Sequence, residues 1–262
     1  MQTIRIIKIM RNSQESVELF HLLFLRHMNE KIEKNLYAVK GGCNLRFFFK
    51  SIRYSEDLDI DIKTIAKETL RNKINRLLES KNFQDALATK GIEIEQVFES
   101  KQTETTQRWK LSLKLSNSPV PLPTKIEFSR RKLNEDFIFE PVDQTLINYH
   151  QLYPILINHY SQDMAFFQKI DALVHRTEVQ ARDVFDIHLL LDRDIKLEKM
   201  PDALIQKLDI AIENALSVDF SEFKSKVVAY LMKEYQDYYN SPLLWSEMQT
   251  KVALILEGLQ ST

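Results

Sequence analysis

The sequence predicts an α+β protein, with a mixed sheet and helices over residues 1–140 and an all-α half over 141–262. Three observations carry this reading. Segments alternating at period 2 interleave with segments of helical period in the first part. Beyond about residue 140 the helical period takes over. The chain also holds only 4 Gly and 7 Pro in 262 residues, alongside many Leu, Ile, Lys and Glu, a composition that leans toward helix.

In chain order, Asn12 followed by Glu15 has the form of a capping box. Val17, Phe20, Leu23, Phe24 and Met28 then recur at helical spacing, which predicts a helix over roughly 13–34. "LYAVK" is a short apolar strand running into Gly41-Gly42, and "NLRFFF" a short buried helix. "DLDIDIK" alternates and reads as a strand. Ile65, Leu70, Ile74, Leu77 and Leu78 mark a second helix over about 65–81. "IEIEQVF", "RWKLSLKL" (108–115) and "TKIEFS" (124–129) are further strands, the last approached through Pro119, Pro121 and Pro123. "DMAFFQKIDALVHR" and "ARDVFDIHLLLD" open the helical half.

Composition bounds the function. At 44% apolar and 28% charged the chain is an ordinary globular one, and its net charge of −1 excludes a bulk polycation. Any nucleic-acid contact must therefore come from a local patch, for which Arg108, Lys110 and Lys114 on one strand face and Arg130, Arg131 and Lys132 at a turn are candidates. The single cysteine, Cys43, excludes an intramolecular disulfide and a cysteine-based zinc cluster. Arg5 and Lys8 interrupt the apolar N-terminus, and no apolar run reaches 18 residues, so the expectation is a soluble cytoplasmic protein with no membrane contact.

The unusual stretch is "KGGCNLRFFFKSIRYSEDLDIDI", residues 40–62. Average usage of about 7% would place roughly 18 glycines in this chain. Two of its 4 glycines nevertheless stand side by side here. A strand places Asp57, Asp59 and Asp61 on one face, where their mutual repulsion is relieved by water or by a hard divalent cation, Mg²⁺ above all. A Gly-Gly turn lets backbone N–H groups approach a phosphate closely. Together the two features suggest a nucleoside triphosphate at the turn, with its metals on the next strand.

These residues resemble the AbiEii/AbiGii toxin family of nucleotidyltransferases, in the DNA polymerase beta superfamily. The family pattern, Lys-Gly-Gly-Thr, an apolar helix, then Arg-x-Ser-x-Asp-Leu-Asp-Phe, is met by Lys40-Gly41-Gly42-Cys43 and by Arg53-Tyr54-Ser55-Glu56-Asp57-Leu58-Asp59-Ile60. The resemblance implies a polymerase-beta-like fold and a third carboxylate, Glu127 in "KIEFS". It implies a helix carrying Lys169, Ala172, Leu173 and Arg176, and a second carrying Arg182, Asp183 and Asp186. It covers roughly residues 37–192. Cys43 departs from the pattern, standing where a hydroxyl residue is usual; as a weaker hydrogen-bond partner it leaves the backbone to meet the phosphate.

The implied activity is Mg²⁺-dependent transfer of a nucleotide from a nucleoside triphosphate to an acceptor hydroxyl, with tRNA as acceptor and a cognate antitoxin as partner. Asp57, Asp59 and Glu127 would hold one or two Mg²⁺ ions. Lys40, Gly41, Gly42, Arg53, Ser55 and Asp186 would surround the nucleotide, and Lys169 would meet the triphosphate. Asp183 and Asp186, three apart on one helix, would position Lys169 or the nucleotide; the competing reading is a helix salt bridge such as Arg182 with Asp186. Asp61 is a spare carboxylate beyond the metals. Three other functions stay open: a same-fold enzyme modifying a protein or small molecule, a non-catalytic nucleotide-binding interaction protein, and a glycosyltransferase of the Asp-x-Asp type. The last would require a longer α/β region ahead of Asp57.

Overall fold

The computed structural model describes residues 11–130, 137–191, 195 and 200–260. The Asn12 side chain accepts from the backbone of Glu15, and the Glu15 carboxylate accepts in return from the backbone of Asn12, so the capping box opens α1 (Ser13–Met28). This helix ends six residues before the expected 34. Asn29 turns its amide onto the Leu156 carbonyl at 2.7 Å and accepts from the Tyr37 hydroxyl, which pulls the chain toward the sheet.

β1 (Tyr37–Lys40), α2 (Gly41–Phe48), β2 (Asp57–Ile62) and α3 (Lys67–Glu79) follow as the patterns predict. α4 (Lys81–Ala88) is an additional helix, capped by Ser80. β3 (Ile92–Gln102), β4 (Thr106–Leu115) and β5 (Ser118–Ser129) form an antiparallel meander. β5 is longer than expected and includes the three prolines. They alternate along the part of β5 that runs past β2, where a missing N–H leaves no ladder bond unmade on that side. β6 (Phe137–Pro141), α5 (Gln144–His150) and β7 (Leu156–Tyr160) come next, and both strands join the sheet. Among the described residues the order is β3-β4-β5-β2-β1-β7-β6, with β2 parallel to β5, β1 parallel to β7 and the other neighbours antiparallel.

The remainder is helical: α6 (Gln162–His175), α7 (Ala181–Leu191), α8 (Asp202–Ile205), α9 (Leu208–Ser217), α10 (Phe220–Lys226), α11 (Lys233–Tyr239) and α12 (Pro242–Gln260). Among the described residues no helix is long and apolar enough to cross a membrane.

Two apolar cores result. Leu58, Ile60, Trp109, Leu113, Ile126 and Phe128 point from one sheet face into a layer built by α1, α3 and α4. The second core gathers Phe166, Ile170, Phe185, Phe223, Trp245 and Val252, with Phe223 stacked on Trp245 at 4.2 Å between centroids. Leu45 of α2 belongs to this second core, so the helix after the glycines is shared by both halves. The chain between α2 and β2 is also fastened to the helical half: Tyr54 N–H donates to the Tyr230 carbonyl at 2.8 Å, and Met232 N–H to the Ile52 carbonyl at 2.9 Å.

Beneath the sheet, His21 is fully buried. Its Nε2 lies 2.8 Å from Thr124 Oγ1, which itself donates to the Glu56 carbonyl. Burial holds the imidazole neutral and lowers its pKa to about 3, with Glu18 pulling weakly the other way. The unfolded chain takes up this proton near its ordinary pKa, so the stabilisation is complete above about pH 6.5 and is lost as pH falls toward 3. Wild-type protein should lose about 2 kcal/mol between pH 7.5 and pH 5 from this residue, at ~1.4 kcal/mol per pH unit. Urea unfolding across that range should show a shallower decline in His21→Gln, whose amide still donates to Thr124.

Candidate active site

Strand register brings the expected carboxylates together. In the parallel β2–β5 pair, Asp57 lies opposite Lys125 and Asp59 opposite Glu127, so all four share the sheet face away from the α1 layer. Arg108 of β4 lies opposite Glu127 on the same face and pairs with it at 2.5 Å. Lys125 Nζ sits 3.0 Å from Asp57 and 3.9 Å from Glu127. Burial nonetheless pushes the Asp57 carboxyl above its ordinary range, against the pull of Lys125. Among the described residues no three His, Cys, Asp or Glu side chains converge closely enough to hold a metal ion, and Asp57 and Glu127 are turned onto these cations. The donor set still suits a hard divalent cation. It is all carboxylate, lies on two strands in register, and already accommodates a positive charge between two of its members.

Asp61 does something else. It is buried, pairs with Lys40 at 2.5 Å, and accepts from the Tyr160 hydroxyl at 2.7 Å. The third aspartate of the ladder thus fixes β1 and β7 around β2, and Lys40 is paired with it at the edge of the cleft.

Each glycine of the pair answers a close approach. Gly41 has φ +66°, and a Cβ there would lie 3.3 Å from Asp59 Oδ2. A Cβ on Gly42 would lie 2.6 Å from the Ser55 hydroxyl and 3.4 Å from Arg53 Nη2. The start of α2 is thereby pressed against the loop that leads into β2, and the Ser55 hydroxyl donates to the Asp57 carbonyl at 2.8 Å. Cys43 faces inward. Its thiol is buried, donates to the same Asp57 carbonyl at 3.3 Å, and is pushed well above its ordinary pKa by burial. It is a packing residue of α2.

The helical half contributes a buried chain of alternating charge. Lys169 of α6 reaches Asp183 Oδ1 at 2.9 Å and Asp186 Oδ2 at 2.7 Å, both on α7. Arg53 grips Asp186 with its Nε at 3.1 Å and its Nη2 at 3.0 and 2.8 Å from the two oxygens. Arg176 pairs with Asp183 at 3.1 Å. Asp183 and Asp186 are wholly inaccessible. Burial alone would raise the Asp186 pKa, but Arg53 and Lys169 outweigh it and hold the carboxyl below its ordinary value. Asp183 and Asp186 thus orient Lys169, and Asp186 pairs with Arg53 and Lys169 rather than with Arg182. Arg53 and Asp186, expected around the nucleotide, are turned toward each other within the protein.

A cleft of about 460 Å³ opens between the halves. Gly41, Lys40 and Asp59 line its sheet side, and Lys169, Gln168 and Arg176 its helical side. Sequence reasoning missed Lys125 and Tyr160. Lys125 stands two residues before Glu127 in a strand, a spacing that signals a shared face; Tyr160 carries no such signal. Glu56, next to Asp57, accepts from the Tyr230 hydroxyl at 2.5 Å. Arg131 and Lys132 lie outside the described residues.

Comparison with known proteins bears on the family and the fold. The sequence model described as nucleotidyl transferase AbiEii toxin, type IV toxin–antitoxin system, matches residues 23–241. No curated protein sequence matches the chain. Among solved structures, the chain is similar to MenT4, the nucleotidyltransferase toxin Rv2826c of Mycobacterium tuberculosis H37Rv, at 16% identity and a TM-score of 0.67. That likeness covers 95% of this chain and 87% of that one. It is also similar to JHP933 of Helicobacter pylori at 16% identity and a TM-score of 0.59, covering 95% of each. At these identities the likeness shows the shared fold.

The contact between Gly42 and Ser55 gives a direct test. Gly42→Ala should destabilise the protein by about 1–3 kcal/mol through overpacking. Adding Ser55→Gly, which removes the Ser55 Oγ and Cβ that the new methyl group would meet at 2.6 and 3.0 Å, should recover most of that loss in urea unfolding.

Proposed function

Because the chain belongs to the AbiEii nucleotidyl transferase toxin family of type IV toxin–antitoxin systems, we propose that it moves a nucleoside monophosphate from a nucleoside triphosphate to a hydroxyl of tRNA in a Mg²⁺-dependent reaction. The observation that carries this reading is the register placing Asp59 beside Glu127 and two residues from Asp57, directly against the backbone of Gly41. The family also implies an antitoxin as protein partner, and action on tRNA places the enzyme in the cytoplasm.

Asp57, Asp59 and Glu127 would hold the divalent ions, which supply charge neutralisation for the phosphates. The acceptor hydroxyl attacks the α-phosphorus in line. A new oxygen–phosphorus bond forms, the α–β phosphoanhydride bond breaks, and pyrophosphate leaves with the electron pair. Glu127 orients the hydroxyl and takes its proton. The backbone of Gly41 and Gly42, with Lys40 and Ser55 beside it, receives the phosphates at the start of α2. Lys169, held by Asp183 and Asp186, presents a fixed ammonium to the triphosphate and stabilises charge as it develops. Arg53 and Asp186 serve as positioning residues. In this reading the sheet unit and the helical unit each supply one wall of the site. The first of the two cores extends to Ile157 and the second begins its main run at Ala165, so we place the division between units near residue 160 rather than 140.

The test is label transfer. Incubation with each α-³²P nucleoside triphosphate, Mg²⁺, total RNA and total protein should label a tRNA-sized band. Asp59→Asn should reduce that label by at least about 100-fold. Label on protein would overturn the tRNA acceptor, and no label with any nucleotide would overturn transfer itself.

A second expectation concerns Lys125, which balances Asp57 and Glu127 from within. Lys125→Gln should tighten Mn²⁺ binding by up to about 5-fold in calorimetry, since a partly exposed ion pair that competes with the metal is worth up to ~1 kcal/mol. Unchanged affinity would show that Lys125 does not compete.

A further inference from the structure

The site lies at one end of a sheet face that is open and chemically patterned. On β4, Trp109, Leu111, Leu113 and Leu115 turn into the core, leaving Arg108, Lys110 and Lys114 on the other face. Lys110 is exposed, and no carboxylate of the described residues pairs with it. Strand pairing extends this face into two rows. Phe98 lies opposite Lys110, Lys110 opposite Lys125, and Lys125 opposite Asp57. Lys101 lies opposite Arg108, Arg108 opposite Glu127, and Glu127 opposite Asp59. Both rows start at the β3 edge and end at a carboxylate of the site, three strand spacings or ~14 Å away.

The edge strand is shaped for this. β3 carries register shifts between Ile94 and Gln96 and between Glu99 and Lys101. The second lets Glu99 stay with the core side, bonded to Arg71 and Asn75 of α3, while Lys101 returns to the open face beside Arg108. Between the shifts stands Phe98, 67% exposed. An exposed large aromatic ring on a sheet edge is an association hazard unless something covers it.

We propose that this face carries the single-stranded end of a nucleic-acid acceptor into the site, with Phe98 stacking on a base and Lys110 and Lys125 tracking phosphates. The proposal rests on the nucleotidyl-transfer reading above and names the path that its acceptor takes. An aromatic platform beside cations is the chemistry that holds a single strand without reading its sequence; here Lys110 is the cation with no carboxylate partner among the described residues, while Lys125 is shared with Asp57 and Glu127. At the other end of the strands the face is of mixed charge, with Glu93 opposite Lys114 and Glu95 accepting from the Ser112 hydroxyl, and it favours a polyanion less. The path therefore runs toward the carboxylates and not along β4 to its turn.

The experiment is fluorescence anisotropy with a short labelled single-stranded RNA and the full chain, without nucleotide. Phe98→Ala should weaken binding by about 5- to 100-fold. Lys110→Ala should lower the slope of log affinity against log salt by about 0.7. Both side chains are exposed, so both variants should keep the wild-type urea midpoint. The measurement needs no turnover, so a failure of nucleotidyl transfer leaves it readable. Label transfer to RNA by wild type, with RNA affinity unchanged in both variants, would overturn this proposal alone. Loss of binding to an antitoxin protein in Phe98→Ala with RNA affinity intact would also overturn it and reassign the face to that partner. Equal binding and equal loss with duplex RNA would overturn the stacking role.

Discussion

The structure depends on a carboxylate that neither half can bury alone. Asp186 has no solvent access, and its charge is met by Arg53 from the loop before β2 and Lys169 from α6. Breaking a buried pair of this kind by removing a partner is worth several kcal/mol, because it leaves an uncompensated charge in low dielectric. Docking of the helical half on the sheet is therefore tied to the same atoms that aim Lys169 into the cleft. The loop carrying Arg53 and Ser55 has further anchors at Tyr230 and Met232, so its path into β2 is set from both ends. In its proposed role Lys169 would lose little rotamer freedom on meeting an anion, since two aspartates already hold it.

The glycine pair is the local counterpart of that long-range constraint. Scarcity elsewhere in the chain makes sense once each of the two is seen to face a specific atom. Gly41 takes a left-handed backbone against the Asp59 carboxylate, and Gly42 admits the Ser55 hydroxyl. Neither position tolerates a side chain without moving a residue of the site. The backbone of α2 is thereby brought up to the carboxylates, and the same helix sends Leu45 into the second core.

Much of this was legible because local pattern and tertiary role coincide. "DLDIDI" alternates since one face of β2 is core and the other is site, and Asn12 with Glu15 announces α1 because a cap is a four-residue event. Other features were hidden for equally physical reasons. β7 escaped notice since Asn158 and His159 are both buried, which erases the alternation of polar and apolar residues. α4 begins at a polar Ser-Lys-Asn step that reads as the end of a helix. The pairing of Arg53 with Asp186 spans 133 residues, and no local window contains it. Glu127 and Asp186 were found through family resemblance and not through periodicity. Lys125 was missed because its importance lies in which strand lies beside β5, a fact of sheet order.

Sheet order also explains how three carboxylates share a face before any divalent ion is considered. Bare, they would repel one another and oppose closure of the β2–β5 pair. Lys125 and Arg108 relieve that repulsion from neighbouring positions of the same face, so the sheet can form without a metal. This differs from metal sites whose ligands come together only when the ion binds. The proposed ions would then exchange with resident ammonium and guanidinium groups instead of organising the fold. Cations displaced from carboxylates by the proposed divalent metal would become available to phosphates on the open face. On this view the charges that balance the resting site are those that would meet the proposed acceptor, and a chain with a formal net charge of −1 would rely on these few paired cations where that acceptor approaches.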